Sequence, residues 1–363
     1  MAKQAVLLLA HGTPESVDQI PEYLRNVVSG RPVPQALVEE IQHRYALIGK
    51  SPLTEITMAQ ARGVEAELAA AGRPVRVYVG MRNWRPYIAD VVRQMRADGV
   101  EQAAAICMAP QNSRTSVGLY RRAVDAERAG LRIDFTEGWA QEPLLADAFA
   151  ERLRPALAKL SAEVGEAAPV LFTAHSVPVR TVEAARADAD TGSHPSDKNK
   201  DVARVGHPQQ DSSDKNKEVA RVGHPHWPGR DADPYAEEAR QTAQLVAERV
   251  KEIPRWWFAF QSQGASGGPW LGPSVEETLT QIAADGMKAL VLQPIGFLCD
   301  HVEILFDVDR HFREYAKRLG IHLERPESLN DSLTLAKAVA DLAMEGLKRL
   351  DDNAVPGSGE GAR

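Results

Sequence analysis

Two histidines sit where short apolar runs break off into polar residues: His11 after AVLLLA and His175 after PVLFTA. A third break, after ALVLQPIGF, is Cys299-Asp300-His301-Val302-Glu303. A neutral imidazole beside a carboxylate suits a divalent ion of intermediate hardness such as Fe²⁺, and imidazole exchanges protons near neutral pH. The residue types alone leave His175 and Glu303 with two readings. They are a metal-binding, proton-accepting pair, or two satisfied polar residues at an interface. Asp307 and His311 follow Glu303 at i+4 and i+8, on one helix face. That stripe either hands a cation inward or is an ordinary solvated face.

Other chemistries find little support. Ser176 adjoins His175, where neighbouring side chains diverge. The one G-x-S-x-G string, GASGG at 264–268, runs into Pro269-Trp270 and not into the helix a nucleophile elbow needs. No strand-end loop matches GxGxxG or GxxxxGK[ST], which disfavours nucleotide cofactors. Cys107 and Cys299 are the only cysteines, too few for a four-thiolate iron–sulfur cluster or zinc site, and they suggest no secreted disulfide framework.

Eight apolar runs position these residues. They begin near Ala5, Val75, Gln102 and Leu131 in the first half, and near Pro169, Trp256, Ala289 and Ile321 in the second. Runs without clean alternation suit strands buried on both faces of a parallel sheet. Amphipathic stretches lie between them, as at 87–97, where Ile88, Val91, Val92 and Met95 share a face. The expected class is α/β, with two tandem Rossmann-like domains, each a four-stranded parallel sheet flanked by helices. The expected boundaries are residues 1–165 and 166–330, a helix over 331–350 packing back on the first domain, and a disordered tail over 351–363. Function is then expected at the carboxyl ends of the strands.

One segment departs from this pattern. SDKNKDVARVGHP at 196–208 returns as SDKNKEVARVGHP at 213–225, with twelve of thirteen positions identical. Residues 187–231 are too poor in apolar side chains to offset chain entropy and read as a flexible insertion. His194, His207, His224 and His226 within it make it a soft metal collector or a tolerated duplication, and surface loops accept insertions at low cost.

The chain has 363 residues, 44% hydrophobic and 26% charged, with a net charge of −7. That balance excludes a wholly disordered chain and makes nucleic acid a poor partner. The apolar run Ala5–Ala10 is shorter than a signal-peptide core, and no stretch approaches the ~20 apolar residues that span a bilayer. A cytoplasmic monomer without an integral membrane segment is expected.

The motifs HRYALIGKSPLTEIT (His43–Thr57), VYVGMRNWRPYI (Val77–Ile88), MAPQNSRTSVGLY (Met108–Tyr120), FTAHSVPVR (Phe172–Arg180), DPYAEE (Asp233–Glu238), AFQSQG with PWLGP (Ala259–Pro273) and PIGFLCDHVEILFD (Pro294–Asp307) occur in one order. In that order the chain resembles the ferrochelatases, which insert Fe²⁺ into porphyrins late in haem synthesis. The resemblance implies a class II chelatase-like fold. It implies that His175 binds the metal and accepts a pyrrole proton, with Glu303 as its partner across the cleft. It places His11 where related bacterial enzymes often carry a tyrosine that approaches the iron axially. Arg44, Tyr45, Ser51 and Tyr120 match positions that contact the porphyrin and its propionates. Val28 replaces an arginine seen in some relatives, and Arg25, one turn earlier, is its candidate substitute. The loop before Ser51 is one residue shorter than in close relatives. Trp84 and Trp270 are candidates for the cavity wall or, more simply, the core.

The implied partners are a porphyrin and Fe²⁺ as substrates, with no permanently bound cofactor, and a transient contact with the next enzyme of haem synthesis. HGTPES, RYALIGKSPLTEIT and RNWRPYI resemble the coproporphyrin III enzymes more than the protoporphyrin IX group, and no hydrophobic C-terminal anchor or cysteine-rich tail is seen. A protoporphyrin IX ferrochelatase is the main alternative. A Co²⁺ or Ni²⁺ chelatase and a non-catalytic haem carrier are the others.

Overall fold

The computed structural model describes residues 2–182, 233–263 and 268–353. It contains two four-stranded parallel sheets with flanking helices. The first comprises β1 (Gln4–Ala10), β2 (Arg76–Met81), β3 (Gln102–Cys107) and β4 (Arg132–Thr136), in the order β2-β1-β3-β4. The second comprises β5 (Val170–His175), β6 (Trp256–Gln261), β7 (Ala289–Pro294) and β8 (His322–Glu324), in the order β6-β5-β7-β8. The two sheets share one topology. In each, the first strand is central, and the connections leave it in opposite directions. A crevice therefore opens beyond the carboxyl ends of β1 and β5, where His11 and His175 lie.

The apolar runs form strands because helices cover both faces. Leu7 pairs with Tyr78 on one side and Ala105 on the other, and Ala5–Leu9 are fully buried. One apolar cluster runs from Val6 and Leu8 through Phe149 and Leu153 of the helix Pro143–Val164 to Phe172 and Val291 of the second sheet. The halves thus share a core. The last helix, Leu333–Asp352, packs on the helix Leu53–Ala70 and across β3. Its Gly346 permits that approach: a Cβ there would sit 3.0 Å from the Ala104 Cβ.

Three expectations need adjusting. β8 is only three residues long, because Arg325, Ser328 and Asn330 turn from sheet pairing to bonds with Asp300. Asp351 and Asp352 belong to the last helix and not to a tail; Asp351 pairs with Arg73 at 2.6 Å. Glu303–Phe312 is a π-helix and not an α-helix, a form that concentrates at functional sites. The 187–231 insertion, its four histidines and residues 354–363 lie outside the described residues, as does most of GASGG.

Candidate active site

A cavity of about 350 Å³ opens between the two sheets. His11, Tyr120, His175 and Glu303 all line it, so four of the expected site residues come together.

His175 is the last residue of β5, and the Tyr235 hydroxyl donates to its carbonyl at 2.8 Å. Its Nδ1 lies 3.2 Å from Glu303 Oε2. Both atoms are shielded from solvent, and the contact is an ion pair whenever the imidazole is protonated. About a third of each side chain (35% and 32%) still faces the cavity. Burial disfavours charge on His175, but the Glu303 carboxylate outweighs it and holds the imidazole pKa above its ordinary value. Burial likewise opposes a charged Glu303, yet the His175 and His301 imidazoles hold its carboxyl well below the usual range.

Glu303 arrives on the segment after β7. Gly296 begins the turn, where a Cβ would press within 3.1 Å of Ala174 Cα and Cβ. Phe297 packs edge-on against His175 and tilted against His301, with ring centroids 6.2 and 4.4 Å apart. His301 Nδ1 is 3.1 Å from the Cys299 carbonyl. A carbonyl only accepts, so Nδ1 carries the proton and Nε2 is turned to Glu303 Oε2, 3.9 Å away. His175 Nδ1, His301 Nε2 and Glu303 Oε2 thus converge without closing on one another. Among the described residues no three His, Cys, Asp or Glu side chains form a metal-holding group. Ser176 is spent: fully buried, its hydroxyl donates to the Leu271 carbonyl, so it is no hydrolytic nucleophile.

His11 belongs to the first-sheet wall. Gly12 beside it has φ +78°, and a Cβ there would lie 2.7 Å from that of Met81. The His11 Nε2 is 2.9 Å from the Tyr23 hydroxyl and 3.1 Å from Asn83 Nδ2. Burial, reinforced by Arg82, lowers the His11 pKa to about 4, so the imidazole is neutral at physiological pH. Tyr120 is 5% exposed, and burial raises its phenol pKa.

The remaining porphyrin-contact expectations fare differently. Arg25 lies on an exposed face of the helix Ile20–Val27 and does not line the cavity. Arg44 is also outside the lining, drawn to Asp307 at 3.1 Å and to Glu40. Tyr45 is fully buried with Ile20, Tyr23 and Trp84, and Ser51 is 5% exposed; neither lines the cavity. The hydroxyls of Tyr45 and Ser51 are nevertheless buried without partners, as is that of Thr13, which does line it. Trp84 is core, whereas Trp270 forms part of the wall.

The stripe after Glu303 is buried at Asp307 and exposed at His311. Asp307 is 6% exposed and accepts from Ser262 and Arg44, while His311 pairs with Glu276 at 3.0 Å. Sequence reasoning passed over Tyr23, Arg82, His301 and Tyr235 as site residues. Arg82 lines the cavity, and its side chain donates to Asn83 Oδ1 at 3.1 Å. Among the described residues no carboxylate forms an ion pair with it.

No described helix is long and apolar enough to cross a membrane. The fold is similar to that of the sirohydrochlorin chelatase SirB of Bacillus subtilis subspecies spizizenii, with a TM-score of 0.51, 10% identity, and 96% of this chain and 97% of that one covered. "Ferrochelatase" of Acidobacterium capsulatum is 53% identical over 355 residues, 98% of each chain. That of Deinococcus radiodurans is 36% identical, covering 94% of this chain and 96% of its own. "Coproporphyrin III ferrochelatase" of Mycolicibacterium vanbaalenii is 31% identical, covering 99% of this chain and 96% of its own. The ferrochelatase family model matches residues 3–347, and with that match and a 53% relative along the whole length, the chain belongs to the ferrochelatase family, which inserts iron into porphyrin.

Proposed function

We propose that this ferrochelatase metallates coproporphyrin III, with His175 and Glu303 as its catalytic pair. One observation carries the assignment of the pair. His175 Nδ1 and Glu303 Oε2, both shielded, face each other at 3.2 Å in the wall of the cavity. A base and a carboxylate set side by side at a cavity wall suit a divalent cation and the protons it displaces. Metallation removes two pyrrole protons from the macrocycle and water from Fe²⁺. The carboxylate replaces lost water on the ion; the imidazole, once deprotonated, takes one pyrrole proton, and the second passes to water. Bending the macrocycle to expose its nitrogen lone pairs draws on binding energy.

The substrate reading rests on the motifs shared with coproporphyrin III enzymes, on the 31% identity to one across nearly the full chain, and on the polar character of the first-sheet wall. Coproporphyrin III carries four propionates and protoporphyrin IX two. Arg82 offers a guanidinium not engaged by a carboxylate, and Thr13 an unpartnered hydroxyl, groups that bind carboxylates. Parallel anaerobic Fe²⁺-insertion assays, with detergent controls for solubility, should give a higher kcat/KM for coproporphyrin III. A clear preference for protoporphyrin IX would move the protein to the other branch and leave the His175–Glu303 chemistry standing.

The buried Asp307 lies one turn from Glu303 and raises the His175 pKa through its charge. As part of the route by which Fe²⁺ reaches the pair, it should matter most when metal is scarce. Asp307→Asn should slow insertion severalfold at low Fe²⁺ and much less at saturation. An unchanged rate at every Fe²⁺ concentration would remove Asp307 from that route.

A further inference from the structure

Outside the cavity lining, next to Cys299 and His301, lies a charged cluster that the chemistry above does not use. Arg325 follows β8 with only 11% of its side chain exposed. Its Nε and Nη2 grip both oxygens of Asp309, at 2.6 and 2.8 Å. Its Nη1 reaches Asp300 Oδ1 at 3.2 Å and the Pro326 carbonyl at 3.0 Å. Asp300 is held from further sides: Ser328 Oγ donates to Oδ1 at 2.7 Å and Asn330 Nδ2 to Oδ2 at 3.0 Å, while Asn330 Oδ1 accepts from the Asp300 backbone N–H at 2.9 Å. None of these six residues lines the cavity.

Their placement along the chain is informative. Asp300 immediately precedes His301 and stands three residues before Glu303; Asp309 stands six residues after it. One guanidinium therefore pins the segment that carries Glu303 on both sides of it, to one point just after β8. The segment from Glu303 to Phe312 is a π-helix, and the Glu303 carboxylate meets only the cavity imidazoles of His175 and His301, at 3.2 and 3.9 Å. Its position must come from the backbone beneath it. Only a planar fork serves both aspartates at once; an ammonium is a single point of charge.

We infer that Arg325 is a positioning residue: by bridging Asp300 and Asp309 it fixes where Glu303 and His301 meet the iron opposite His175. The inference rests on the reading of Glu303 as part of the catalytic pair. Arg325→Lys keeps the charge and most of the volume but cannot span both carboxylates. It should lower kcat about 10-fold, the scale on which residues that orient metal-binding groups act. The KM for the porphyrin should stay within about twofold, because the porphyrin wall is untouched. Asp309→Asn, which leaves the Arg325–Asp300 bond in place, should give a smaller fall in kcat of the same kind and provides the test if Arg325→Lys does not fold. Wild-type kcat in a folded Arg325→Lys enzyme, or a loss confined to the porphyrin KM, would overturn the inference. The two readings fail separately. Normal turnover in Glu303→Gln refutes the catalytic pair, whereas an inactive Glu303→Gln beside a fully active Arg325→Lys refutes only the bridge.

Discussion

His175→Ala should lower the rate of iron insertion by about 10²–10⁴-fold, the usual scale for loss of a general base, while circular dichroism and thermal unfolding show a folded protein. The side chain faces the cavity, and its backbone contacts, including the Tyr235 hydroxyl on its carbonyl, survive the substitution. Glu303→Gln keeps the shape and removes the charge. It should cost most of the activity and also move the pH profile, with a sign the site determines. In the native enzyme burial favours neutral His175, but the Glu303 charge overrides it and raises the pKa. His175 must shed its own proton before accepting one from a pyrrole. The rate should therefore rise with pH through a point above the ordinary histidine value of ~6.5. With Glu303 neutral, burial is left with less opposition, and the acid limb of the residual activity should shift downward. An acid limb unmoved in Glu303→Gln would mean that His175 is not the titrating base. Near-normal turnover in His175→Ala would remove it from catalysis altogether.

The sequence makes some parts of this site legible and conceals others, for physical reasons. Strand ends are readable because a strand buried on both faces must be apolar until it leaves the sheet, so the first polar residue marks the exit. His11 and His175 were found that way, and both lie at the crevice. Glu303 lies further along: residue types alone leave it with two readings beside His175, and the DHVE motif of the family favours the catalytic one. The helix Gln35–Ile48 shows the limit. HRYALIGKSP matches a porphyrin-contacting stretch, yet which face of a helix meets the cavity is decided by packing between elements. Tyr45 turns into the cluster with Ile20 and Trp84, and Arg44 turns to Asp307, 263 residues away in sequence. No local pattern encodes such a partner. Arg82 and His301 were missed for the same reason: arginine after a strand, or histidine beside an aspartate, is commonplace until the tertiary fold shows what it lacks or what it faces. The π-helix was also hidden. Ile304, Val308 and Phe312 fit an amphipathic α-helix equally well.

Arg82 is the residue whose loss should most affect substrate choice. It lines the first-sheet wall, and among the described residues no carboxylate pairs with its guanidinium. Burial lowers its pKa, which reflects how poorly the site compensates this charge before substrate arrives. On the proposed substrate reading, a propionate would supply the missing anion. A charge-assisted bond of this kind contributes ~1.5–3 kcal/mol, so Arg82→Leu should lower kcat/KM for coproporphyrin III by about 10–100-fold, chiefly through KM. Arg82→Lys, which retains charge without the fork, should fall between. His11 provides an internal control. Burial is the main reason its pKa is low and Arg82 the second, so without Arg82 the imidazole should still be largely neutral at pH 7 and its chemistry little changed. The decisive comparison is the ratio of the two porphyrins. If Arg82 meets a propionate that only coproporphyrin III carries, the preference for that substrate collapses in Arg82→Leu while protoporphyrin IX turnover changes little. Equal losses on both porphyrins would place Arg82 at a propionate they share, and selectivity would then lie with other donors on the wall.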